Sequence, residues 1–195
     1  MPYLLRRSPL IVAFLAAGLP GEAQAGKKKD SRAGYEFENM VTGGLMFAPL
    51  GLRVRYQRVI AENLSVLGIA GYGAKNDWFG SGYDVSRISG RLGADFQPMK
   101  KGLHGFYVGP RVAYQVWSMD EAVENNPESY SMTTMEFDVA AGWRWVADSG
   151  FSFTLGANAG YSIFNQEDGL EDASISDNRS NGFRPGIDLA LGWSF

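Results

Sequence analysis

The stretch GIDLALGWSF, Gly186 to Phe195, sets Ile187, Leu189, Leu191, Trp193 and Phe195 in strict alternation with the polar or small Asp188, Ala190, Gly192 and Ser194. Period-two alternation marks a β-strand with one apolar and one polar face. The pattern runs to the last residue and ends on an aromatic, whereas chain ends in water tend to fray. A closed barrel in a bilayer has a use for such an end. Its last strand pairs with its first, and an aromatic there sits at the lipid interface.

Reading back from that stretch, the eighth strand is expected over Phe183–Phe195. Phe151–Phe164 puts Phe151, Phe153, Leu155, Ala157, Ala159, Tyr161 and Ile163 on one face. Thr133–Val146 does the same with Met135, Phe137, Val139, Ala141, Trp143 and Trp145. Soluble strands average five or six residues, while a tilted membrane strand needs ~9–11. Length therefore points to the membrane. Gly105–Trp117, Val85–Gln97 and Leu50–Ile60 alternate in the same way. In Leu64–Ala74 the phase changes from Leu64 and Val66 to Leu67 and Ile69, the pattern of a β-bulge. Tyr35–Phe47 alternates loosely, with Asn39 among its apolar positions. Pro110 has no N–H to give a ladder, so a bulge or a lost bond is expected beside it.

Eight strands result: an all-β, antiparallel, up-and-down transmembrane barrel over residues 35–195. Its connections alternate in length. Ala61–Asn63, Pro98–Gly102 and Ala147–Gly150 are tight, whereas Lys75–Asp84, Ser118–Ser131 and Asn165–Gly182 are long and polar. Short turns on one side and long loops on the other is the outer-membrane arrangement, with both termini in the periplasm.

The beginning of the chain fits export. Arg6 and Arg7 precede an apolar core, Leu10–Leu19, and Ala23-Gln24-Ala25 forms a small-x-small cleavage site, so residues 1–25 read as a signal peptide. Gly26–Gly34 reads as a short polar periplasmic leader. There is no cysteine, which excludes disulfides and a lipid anchor on cysteine. The chain holds 18 basic and 21 acidic residues, a net charge of −3, a balance unsuited to nucleic acid.

The polar face carries Arg53, Arg55, Arg87, Arg91, Arg111, Arg144 and Arg184 together with Glu36, Glu38, Asp95, Glu136, Asp138 and Asp188. The interior of an eight-stranded barrel is just wide enough for side chains to fill. Charges there need partners, since each alone meets a large desolvation cost. A lumen ion-pair network is expected from Arg53, Arg55, Arg87, Arg91, Asp95, Arg111, Glu136, Asp138, Arg144, Arg184 and Asp188. On the apolar face, Phe96, Phe106, Trp143, Trp145, Phe151, Phe153, Trp193 and Phe195 fall near the short turns, as an interfacial girdle requires. The loops 118–131 and 165–182 are acidic. Their carboxylates suit Ca²⁺ or Mg²⁺, yet their spacing matches no calcium loop. The single histidine, His104, adjoins a short turn and has no Ser or Asp beside it in sequence. No catalytic, cofactor or metal motif emerges, so no enzyme is expected.

These features resemble the small OmpA/OmpX-like outer-membrane barrels, and Ile187, Leu189, Leu191, Trp193 and Phe195 resemble their C-terminal assembly signal. The resemblance implies an outer-membrane location, insertion by the barrel-assembly machinery among outer-membrane lipids, and a monomer. It also implies a structural or surface-interaction role, with the acidic loops meeting a surface partner. A narrow channel for ions or small solutes is the alternative. A soluble periplasmic barrel for a lipophilic ligand is a third, and it requires the apolar faces to point inward.

Overall fold

The computed structural model describes residues 37–47, 50–76, 83–99, 102–121, 129–166 and 181–195. The expected signal peptide and leader lie outside these residues, as do Tyr35 and Glu36. The chain forms β1 (Asn39–Phe47), β2 (Leu50–Ala61), β3 (Leu64–Lys75), β4 (Tyr83–Phe96), β5 (Gly105–Glu121), β6 (Ser129–Val146), β7 (Phe151–Gln166) and β8 (Gly182–Ser194). Each strand pairs antiparallel with the next, and β8 returns to β1 to close the barrel. At the seam Met40–Gly44 pair with Ala190–Ser194, and Asn39 and Phe195 exchange both backbone hydrogen bonds, at 2.9 and 2.8 Å.

Alternation decides which side chains face where. Odd positions of β7 and β8, including Phe151, Leu155, Ile187 and Trp193, are exposed on the outside, while Ser152, Thr154, Asp188 and Ser194 are buried inside. This is the reverse of a water-soluble barrel, and the apolar faces are not inside as a lipophile carrier would need. Asn39 faces outward with its apolar neighbours because the Tyr56 hydroxyl, also outward, donates to its Oδ1 at 2.8 Å.

Three sequence expectations need correction. First, β3 has no bulge: its register with β4 runs unbroken from Leu64–Phe96 to Lys75–Val85. The phase change arises because Leu67 and Ile69 lie on the inward positions, in line with Ser65. The register irregularity lies instead at the end of β2, between Val59 and Ala61. Second, β5 and β6 continue into the expected loop 118–131, with Ser118 opposite Ser131 and Asp120 opposite Ser129. Third, Glu38 lies just before β1 and is exposed, so it does not join the inward face.

Pro110 causes no bulge. The β4–β5 register is the same before and after it, but pairing is interrupted between Gly93–Arg111 and Phe96–Val108. Gly109 makes this tolerable, since a Cβ there would lie 1.7 Å from the Ala94 carbonyl oxygen. At the β6–β7 turn Gly150 has φ 92°, and its carbonyl accepts from Ser194 N–H at 2.7 Å, tying the turn to β8.

Strand length differs around the barrel. β1 has 9 residues, whereas β5 and β6 have 17 and 18. A membrane crossing needs only ~9–11. β5 and β6 are therefore longer than a bilayer crossing requires.

Candidate functional site

Two surfaces carry chemistry: the lumen wall and the outward belt. Inside, β2, β4, β5, β6 and β8 aim their charged residues at one another. Asp188 receives Arg53 at 2.6 Å, Arg55, and Arg111 at 3.5 Å. Asp95 receives Arg111 and Arg144, each at 3.1 Å, and also the Gln57 amide at 3.0 Å. Arg91 reaches Glu136 at 3.0 Å and Asp138 at 3.6 Å, and Gln115 donates to Glu136 at 2.8 Å. Nine of the eleven expected network residues thus meet in ion pairs.

The other two are placed differently. The Arg87 guanidinium lies 4.8 Å from the Trp117 ring centre, and Arg184 lies 5.2 Å from that of Phe164. Both are cation–π geometries. Tyr107 stands between Arg144, at 4.7 Å, and Arg111, at 5.7 Å. The sequence places Gln57 on the polar face with Arg53 and Arg55, but the inward aromatics Tyr107 and Trp117 and the amides Gln97 and Gln115 were missed, although each shares the phase of an inward arginine.

Seven arginines and six carboxylates share the polar face in sequence, but that near-balance is absent from the described interior. With Glu38 outside the strands and Glu36 outside the described residues, seven arginines face four carboxylates. Asp95 and Arg144 are 0% exposed and Arg55 is 2% exposed, so a water-sized sphere does not reach this level of the lumen.

Apolar side chains occupy the lumen toward both ends. At the short-turn end Met40, Leu103 and Val146 form a buried cluster, with Phe37 and Val59 packed against it. His104 belongs to this floor, where its Nδ1 accepts from Val146 N–H at 3.1 Å. Toward the long-loop end Met46, Val85, Trp117, Met119 and Met132 are inward and buried. For Met46, Met119 and Met132, methionine at inward phase was the available sequence signal.

Outside, Phe106 pairs with Trp143, Trp145 with Phe153, and Phe151 with Trp193 along the short-turn rim. Trp145 stacks on Phe153 with ring centres 5.4 Å apart. A second row, Tyr72, Tyr114, Phe137, Tyr161 and Phe183, lies exposed nearer the long loops. Phe151 and Tyr161 are ten residues apart on β7, ~34 Å along the strand. At a ~40° tilt that spans ~26 Å, the height of an outer-membrane apolar band. Between Arg58 at the lower rim and Asp84 and Asp120 at the upper, the described outward positions hold no Asp, Glu, Lys or Arg. Leu52 and Ile187, within this belt, are 69% and 65% exposed.

Among the described residues no three His, Asp or Glu side chains come together as a metal site. Glu124 and Glu128 of the first acidic loop, and Glu167, Asp168, Glu171, Asp172 and Asp177 of the second, lie outside the described residues.

No family model and no curated protein matches this chain. Among solved structures, the attachment invasion locus protein Ail of Yersinia pestis aligns at 14% identity with a TM-score of 0.51, over 83% of this chain and 100% of that one. A major outer membrane protein from Thermus thermophilus aligns at 13% identity with a TM-score of 0.47, over the same shares. The likeness to Ail is one of fold: a closed, eight-stranded, antiparallel up-and-down barrel of the outer-membrane type.

Proposed function

We propose that this chain is a non-catalytic protein of the bacterial outer membrane, a monomeric barrel that holds polar loops at the cell surface in a structural or surface-interaction role. The inversion of the barrel carries this reading. Charged groups are buried within, while a band of exposed apolar side chains, rimmed by two aromatic rows, faces out. Water would penalise so large an apolar surface, and lipid does not. Outer-membrane lipids are thus the first partner, and the barrel-assembly machinery acts on the apolar stripe ending at Phe195.

The surface role rests on asymmetry. Among the described residues the strands extend at one end, where β5 leads into β6 and β7 into β8 through the acidic sequences 118–131 and 165–182. The same fold serves an attachment invasion locus protein in Yersinia pestis. A narrow channel has less support, because apolar side chains occupy both ends of the lumen and ion pairs fill its middle.

Membrane fractionation combined with an electrophoretic heat-modifiability assay tests the location. The expected result is recovery in the outer-membrane fraction, with faster migration before boiling than after. A chain that stays in the soluble fraction and migrates identically in both states overturns the reading. An epitope inserted between Asn125 and Asn126 tests the surface role: it should be labelled on intact cells, and labelling only after lysis contradicts it.

A further inference from the structure

Four outward rows cross β6, β7 and β8 in register. Phe137, Tyr161 and Phe183 form a tall row toward the long loops, and Trp143, Leu155 and Leu189 another toward the short turns. Between them lie two low rows, Val139–Ala159–Pro185 and Ala141–Ala157–Ile187. The result is an apolar groove of about 680 Å³ within the belt, inside the ~300–1,000 Å³ range of small-molecule sites.

The groove slopes. One row of partners, followed round the barrel from Thr42 through Arg55, Ile69, Arg91, Ala113, Glu136 and Ser162, ends at Gly182. Thr42 lies near the short-turn end of β1 and Gly182 at the long-loop end of β8. Each row therefore climbs toward the long loops from β6 to β8. The upper end of the groove is the edge of β8 that faces β1.

That edge is open. Pairing of β1 with β8 stops at Gly44–Ala190, and Leu45–Phe47 continue β1 with no partner on β8. Asn39 and Phe195 exchange hydrogen bonds, so by alternation the backbone groups of Phe183, Pro185, Ile187 and Leu189 point toward β1. Arg53 reaches the Leu189 carbonyl at 3.2 Å, but Phe183 and Ile187 have no register partner on that side among the described residues. Pro185 fits such a place, since proline is tolerated where the N–H of a strand would meet no partner. Hydrocarbon satisfies no backbone polar group, so an open edge at this depth calls for a polar cover.

We propose that groove and edge together seat one acylated lipid of the outer leaflet. Its chain lies across Ile187, Ala157 and Ala141, and its ester or amide carbonyl accepts from the β8 backbone between Phe183 and Ile187. The site rests on the membrane reading above and adds to it a lipid held at a fixed place. Depth agrees, because Phe183 belongs to the upper aromatic row and the groove descends from it into the belt. A second barrel suits the groove poorly, since its own outer wall is convex.

The test folds the barrel into vesicles of dipalmitoyl phosphatidylethanolamine and phosphatidylglycerol, extracts it in detergent and weighs it by native mass spectrometry. The wild type should keep one lipid, of either headgroup, because the groove is apolar. Ala157→Phe and, separately, Ala159→Phe fill the groove and should lose that lipid, while Val54→Phe, outward on β2, should keep it. Lipid added to the lipid-free barrel in micelles should slow amide exchange over residues 183–187 in the wild type and not in Ala157→Phe. A barrel that never inserts contradicts the membrane reading and this site together. One that inserts but keeps no lipid, or keeps it equally in Ala157→Phe and Ala159→Phe, overturns the site alone. So does retention of only one headgroup, or a dimer that Ala157→Phe dissociates, which assigns the groove to a second copy.

Discussion

Arg55 on β2 and Asp188 on β8 meet in an ion pair that reaches past β1, the strand lying between them at the closure of the barrel. Arg53 joins the same carboxylate at 2.6 Å. The pairing of β1 with β8 covers only a short register, Met40–Gly44 against Ala190–Ser194, so these contacts reinforce the closing seam. Asp188→Asn leaves the guanidinium groups of Arg53, Arg55 and Arg111 facing a neutral amide. Removing one partner of a buried pair costs about 3–5 kcal/mol. Urea titration of the variant in lipid vesicles should show a much lower midpoint and early loss of the fast-migrating, unboiled form; an unchanged midpoint contradicts the seam role.

Depth should govern the cost of charge on the outer face. Leu155 lies within the belt and Phe151 at its short-turn rim. Leu155→Arg should destabilise the barrel in vesicles by about 2–4 kcal/mol, and Phe151→Arg by about 0–1 kcal/mol. Equal and small effects at both positions would mean that neither faces hydrocarbon.

The interrupted ladder between β4 and β5 predicts an unusual ranking. Pro110→Ala restores an N–H where no pairing is formed, and should change stability little. Gly109→Ala adds a Cβ that would lie 1.7 Å from the Ala94 carbonyl oxygen, so the strands must separate. Its unfolding midpoint should fall clearly below that of Pro110→Ala, and the opposite order would refute the close approach.

A lumen with apolar side chains toward both ends and paired charges in its middle should not conduct. Planar-bilayer recordings of the wild type should remain flat. Stable steps that change on Arg91→Gln or Glu136→Gln would establish an ion path instead.

Most of the fold was legible because it depends on one local property. Phe151–Phe164, Thr133–Val146 and Gly105–Trp117 alternate so regularly that face and strand follow from parity, and the observed β7, β6 and β5 begin at or within four residues of those limits. Parity fails where a side chain departs from the chemistry of its face. Leu67 and Ile69 are apolar but inward, which imitates a bulge, and Met119 and Met132 are inward methionines at the end of a hairpin that polar residues disguised as loop. Which arginine meets which carboxylate was not legible. Those partners lie on strands distant in sequence, and the matching depends on register and tilt around the closed barrel, as the three-way sharing of Asp188 shows.

Tryptophan offers a reading of which face meets lipid. Trp145 and Trp193 are outward, 44% and 51% exposed, while Trp117 is inward and 9% exposed. Single-tryptophan variants, folded into vesicles containing brominated acyl chains, report contact with hydrocarbon through quenching of their fluorescence. The inverted barrel predicts strong quenching of Trp145 and Trp193 and little of Trp117. Quenching of Trp117 by the lipid, with Trp145 and Trp193 answering only to a water-soluble quencher, would contradict it.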